Sequence, residues 1–324
     1  MRLDPFTSVL IVVVALASFF PCEGQVAVCF GLLTKLAVAL LFFMHGAKLS
    51  GPAILAGLGH WRLHLLVFGC TFVLFPLLGL ALRPLLTPLI GPELYLGMLY
   101  LCALPATVQS AIAFTSLARG NIAAAVCSAA ASSLIGIFLT PLLVLLLMGA
   151  QGDGGSTLDA IGKIVVQLLL PFIAGQFARR WIGDWVARNK GWLKNVDQSS
   201  ILLVVYTAFS HAVVEGIWHE VPLPQLLGLV LACCLLLALA LGITWLIARG
   251  LGFDLEDRIT ILFAGSKKSL ATGIPMAQVL FAGGALGTLI LPLMLFHQIQ
   301  LMVCAVLAQR YAARPESAPV AKAV

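Results

Sequence analysis

The chain has 324 residues, 61% of them hydrophobic and only 10% charged, with a mean hydropathy of +1.07. Soluble domains carry about a quarter charged residues, so an ordinary water-soluble fold is excluded and the chain belongs in a bilayer. The net charge of +6 and pI near 9.0 would suit nucleic acid, but in a membrane protein an excess of Lys and Arg marks cytoplasmic loops, and no nucleic-acid partner is expected.

A spanning helix needs about 20 mostly apolar residues. In chain order the first half offers 7–20, 27–47, 64–84, 92–118 and 121–148. The first of these follows Arg2 and ends in Phe19, Phe20 and Pro21 without a small-x-small cleavage site, so it is expected to be a retained span and no signal peptide. A polar Gly-rich hinge, "GAQGDGGST", covers 149–157. The second half offers 158–181, 199–217, 224–248, 257–282 and 284–310. The domain reading is one membrane domain over 1–311, with repeat one at 7–148 and repeat two at 158–311. A disordered cytoplasmic tail is expected over 312–324.

With the N-terminus inside, fourteen of the 19 basic residues fall in inner segments. Arg83 and Lys163 fall outside, and Lys35, Lys267 and Lys268 fall within spans. Both termini are therefore expected in the cytoplasm. Five spans per half forces the halves to run in opposite senses, the plan of an inverted repeat. Of the eight cysteines, six lie in apolar spans, where a thiol acts as a small hydrophobe. Cys22 and Cys29 fall near the outer surface, and no CxxC pair or metal-ligand cluster occurs.

The fourth span of each half is interrupted. "ALPATVQSA" contains Pro105, which removes a backbone donor, and "AGSKKSLATGIP" contains Gly265, Gly273 and Pro275. Matched breaks in corresponding segments point to a transport site; Pro kinks that serve packing alone are the alternative. Lys268 lies ten residues past Arg258, or roughly 15 Å of helix, about half the hydrocarbon thickness. An ammonium at that depth costs on the order of 3 kcal/mol and needs a wet cavity or a partner. Reading "GSKKS" as a cytoplasmic loop is the competing view, against which the short run from Arg258 to Ser266 counts.

Glu93, Glu215 and Glu220 fall near outer ends, so no intramembrane acid is available to pair with the lysines. Backbone carbonyls, water or an anionic substrate remain as partners, with deprotonation by desolvation as the rival outcome. Adjacent helical residues point about 100° apart, so only one of Lys267 and Lys268 need face the cavity. Ser266, Ser269, Thr107, Gln109, Ser110, Thr115, Asn121 and Gln278 are the candidate polar lining. Those near the first break serve equally well to re-satisfy its backbone. His297, Gln298 and Gln300 add polarity in the last span. No HExxH, GxSxG or GxxxxGK[ST] pattern and no paired carboxylates occur in the spans, so no enzyme is expected.

The stretches "ALPATVQSAIAFTSLARGNIAAAVCSAAASSLIGIFLTPLLV", "FAGSKKSLATGIPMAQVLF" and "FFMHGAKLS" resemble the bile acid:sodium symporter family, most closely its SBF-like branch. The likeness covers nearly the whole chain. It implies an all-α polytopic protein of ten transmembrane helices in two inverted five-helix repeats, with the broken fourth and ninth helices crossing. It implies a panel (spans one, two, six and seven) and a core (three to five and eight to ten). Sodium-coupled relatives hold sodium through oxygen side chains at this crossing. The matching positions here are Ala111, Ile112, Ala125, Ala129 and Phe263, with Lys267 at a neighbouring amide position. An ammonium beside the lost ion site is expected to act as its tethered substitute.

The expected function is a secondary transporter of a small organic anion in the inner membrane, with no cofactor and with sodium or proton coupling left open. A scaffold or regulatory membrane protein that keeps the fold without transport is the alternative.

Overall fold

The computed structural model describes residues 5–48, 60–149, 170–214, 221–281 and 286–314. Most of the 149–157 hinge, the start of the sixth expected span and the last ten residues of the tail lie outside them. All regular structure among the described residues is helical. The helices are α1 (Pro5–Phe19), α2 (Gly24–Lys48), α3 (Trp61–Ala81), α4 (Arg83–Ala103), α5 (Val108–Leu117) and α6 (Ile122–Met148). Then come α7 (Leu170–Arg188), α8 (Lys190–Val214), α9 (Leu223–Gly250), α10 (Leu255–Gly265), α11 (Leu270–Leu280) and α12 (Leu286–Ala312). Six of the described helices hold a stretch long and apolar enough to cross a membrane, namely α2, α3, α4, α6, α9 and α12.

Side-chain size sorts the faces of these helices. On α6 the buried positions Ala124, Ser128, Ser132, Gly136 and Thr140 recur every four residues, while Phe138, Leu142 and Leu146 point outward. Lipid rewards no burial of Leu, so small residues that let backbones approach face inward and the bulky apolar ones face the chains. Leu36, Leu231 and Leu246 extend that greasy exterior on α2 and α9. A patch of this extent fits a lipid interface. The same logic joins α2 to α7, where Gly46 lies against Phe172 O and Gly175 against Phe43 O.

Three departures from the expected spans matter. A helical piece from Arg83 precedes the fourth expected span, and Gly91 at φ 81° separates it from the piece that starts at the expected residue 92; together they are labelled α4. The α8 helix starts at Lys190 rather than 199, carrying a polar first third. Within α3, Cys70–Leu74 form a π-helical stretch, one residue wider per turn, that sequence periodicity does not announce.

Candidate functional site

Both breaks appear where the punctuation placed them. The α4 helix ends at Ala103, Leu104 and Thr107 are extended, and α5 begins at Val108. The α10 helix ends at Gly265, and α11 starts after Ser269, whose hydroxyl caps Thr272 N at 3.2 Å. Pro275 lies inside α11 and does not end it. The two breaks lie side by side: Ser269 N donates to Pro105 O at 3.0 Å, and Thr107 Oγ1 donates to Lys268 O at 2.8 Å.

A broken helix leaves carbonyls and N–H groups without intrahelical partners, and in this bundle they are met one by one. Pro105 offers no N–H to Leu101 O, which accepts from Leu104 N instead, at 3.3 Å. Ala103 O accepts from Thr140 Oγ1 at 2.9 Å, and Ala106 N donates to Ser132 Oγ at 3.0 Å. Cys102 O and Leu104 O are taken by Lys268 Nζ at 2.8 and 2.7 Å, and the same nitrogen reaches Thr71 O at 2.7 Å. Gln300 clasps the main chain of Lys268: its Oε1 accepts from Lys268 N at 3.0 Å and its Nε2 donates to Lys268 O at 2.9 Å. His297 Nδ1 lies 2.9 Å from that Nε2. Pro105 nests against Gly136, and Gly273 against Leu104, both closer than a Cβ would allow.

Lys267 points elsewhere. Its Nζ donates to Ser110 O at 3.0 Å and lies 3.8 Å from the centroid of Phe114 and 5.4 Å from that of Phe263. Both lysines are fully buried. Every acceptor of the two ammonium groups among the described residues is a main-chain carbonyl. Removing ions from water costs several kcal/mol each even after relaxation. Carbonyl dipoles and aromatic faces recover part of that.

The crossing thus gathers Ser266, Lys267, Lys268, Ser269, Thr107 and Ser110. Ser266 bonds back to Leu262 O. The Ser110 and Thr115 hydroxyls are buried and without hydrogen-bond partners among the described residues. Gln109 is exposed. Asn121 sits at the far end of α5, where it caps Ala124 N at 3.1 Å and donates to Asp257 Oδ1 at 2.9 Å. Gln278 lines a separate cavity of about 470 Å³ with Cys22, Glu23, Thr207 and His211, between the α1–α2 turn, α8 and α11. Sequence reasoning noted Gln300 only as added polarity in the last span and left out Thr71, Ser132 and Thr140. The last two sit on the four-residue stripe of α6, and Gln300 shares a helical face with His297, three residues earlier.

A bundle of lipid-facing helices, with broken segments crossing around two buried lysines, defines a multi-pass membrane protein. The chain belongs to the SBF-like CPA transporter family, whose model matches residues 4–313. It is a family of transporters, not of enzymes. The chain is 69% identical over 320 residues to "Uncharacterized protein PA2026" of Pseudomonas aeruginosa, covering 99% of this chain and 96% of the relative. It is 62% identical over 314 residues to "Putative symporter YfeH" of Escherichia coli K12, covering 97% and 94%. Sodium/bile acid cotransporter 7 of Rattus norvegicus is 31% identical over 279 residues, covering 84% and 81%.

Proposed function

We propose that the protein is a secondary transporter carrying a small organic anion across the inner membrane by alternating access. Its ten spans form two inverted five-helix repeats with both termini in the cytoplasm. The core, α3 to α6 with α9 to α12, rocks against a panel of α1, α2, α7 and α8. The observation that carries this reading is the crossing of two helix breaks around two buried ammonium groups with no carboxylate partner among the described residues. A substrate carboxylate, sulfate or phosphate complements that excess of positive charge.

Lys267 is the charge we assign to the substrate. Its described hydrogen bonding uses one acceptor, and the Ser110 hydroxyl beside it has spare capacity. Although a relative is named for sodium, Ala111, Ala125, Ala129 and Phe263 are buried and offer no side-chain oxygen. Uptake is therefore expected to run without a sodium requirement.

A thermal-shift screen of the purified protein against organic carboxylates, sulfates and phosphates tests the reading. At least one anion should bind saturably, and Lys267→Gln should weaken it about tenfold or more, as for a lost hydrogen bond to a charged group. In proteoliposomes its uptake should be equal in sodium and choline media. No saturable ligand would favour a scaffold that has lost transport. Strictly sodium-dependent uptake, indifferent to Lys267→Gln, would remove both the charge assignment and the altered coupling.

A further inference from the structure

Three carbonyls that their own helices leave without a donor converge on one buried point. In an α-helix Thr71 O would accept from Phe75 N, but the π-helical turn sends that N–H to Cys70 O. The next residue along is Pro76, which has no N–H to give. Cys102 O faces the same shortage, because residue 105 is a proline and Ala106 N is committed to Ser132 Oγ. Leu104 O belongs to the extended break itself. Two prolines and one wide turn thus build a cage of partial negative charge, and the ring of Phe75 closes it with its centroid 4.2 Å from Lys268 Nζ.

Converging carbonyls are how proteins replace the hydration shell of a monovalent cation. Lys268 Nζ meets all three oxygens at 2.7–2.8 Å. A neutral amine has two N–H bonds and an ammonium has three, so full occupation of the cage calls for the charged form. Lys267, with one carbonyl and two rings, has no such cage.

We propose that Lys268 is a tethered cation filling a main-chain carbonyl site of the kind that otherwise takes a monovalent ion. It ties the π-helical turn of α3, the end of α4 and the second break into one unit that closes without an ion from solution. Emptied of its side chain, the site should accept small cations of similar size, a primary ammonium or potassium.

Chemical rescue of stability tests this. Lys268→Ala removes, beyond Cβ, the equivalent of n-propylammonium. The full-length variant in detergent should melt below the wild type. Ammonium and n-propylammonium should raise its melting temperature saturably, potassium less so, while leaving the wild type unmoved. The neutral 1-propanol and the bulky choline should do neither. Lys268→Met fills the volume yet leaves the carbonyls unpaired, so it should also melt well below the wild type, and no cation should restore it. Equal rescue by 1-propanol would mean that volume, not charge, matters, and would overturn the proposal. So would a Lys268→Ala protein that is as stable as the wild type, or that stays unfolded or unmoved in every salt, or a Lys268→Met protein with the wild-type melting temperature. The readout is stability, so failure here leaves the transport reading standing, and absence of transport leaves this proposal standing.

Discussion

Lys268 holds its place through its main chain as much as through its side chain. Its N–H and C=O are both engaged by Gln300, and Thr107 adds a second donor to the same carbonyl. Gln300→Leu would leave the N–H buried and unpaired, a loss of about 1–3 kcal/mol. Thr107→Val removes one of two donors to an oxygen that keeps the other, so its effect should be smaller. Melting temperatures of the two variants in detergent check the order, and a larger drop for Thr107→Val would show that the clasp has been misread. The two lysines were legible in the sequence as misplaced charge, because few things in a bilayer are as expensive as an ammonium. Which carbonyls each one meets was not legible, since the partners lie up to 197 residues away along the chain. Asn121 illustrates the same limit: an amide near a break reads as lining until its bonds to Ala124 and Asp257 show it to be a helix cap.

At the scale of elements, prolines and glycines carried most of the information. Pro105 predicts the end of α4, because it can neither donate to Leu101 nor admit the preceding residue to a helix. The π-helical turn of α3 is not announced by hydrophobic periodicity, and the carbonyl it frees, Thr71 O, finds its donor in Lys268 Nζ on a distant element. Glycines divide into those that a neighbouring backbone requires and those that face open space. Gly175 lies against Phe43 O and Gly46 against Phe172 O, whereas Gly31 on the same α2 helix has nothing within 4 Å of an added Cβ. Gly175→Val should therefore force α2 and α7 apart and destabilise by about 1–3 kcal/mol. Gly31→Ala should be neutral or stabilising by up to about 1 kcal/mol, as alanine suits a helix interior better than glycine. Thermal unfolding of both variants measures this, and a Gly175→Val protein as stable as Gly31→Ala would refute the close approach.

Across the whole molecule the charges and the contacts sort the helix ends into two groups. Arg62 reaches Leu251 O at 3.4 Å, Asn121 pairs with Asp257, and Arg314 Nη2 donates to Arg119 O at 2.8 Å. Arg258 stacks on Trp245, which itself packs against Tyr311. These are ends that the basic-residue count assigns to the cytoplasm. The cavity lined by Cys22, Glu23, Thr207, His211 and Gln278 gathers ends that the same count assigns to the outside. It also lies where α8 of the proposed panel meets α11 of the proposed core. In the proposed orientation this cavity faces the outside, and Cys22, whose side chain is otherwise buried, is reached from the outer face only through it. In a Cys29→Ser background, a membrane-impermeant maleimide should label right-side-out vesicles and leave inverted ones unlabelled at this position. Cys22→Ser should abolish the difference. An anion identified by the binding screen should slow the labelling, because the proposed rocking of the core against the panel would change the width of this cavity. Labelling confined to inverted vesicles would reverse the proposed topology. Labelling from the outside that no bound anion alters would separate the cavity from the transport path.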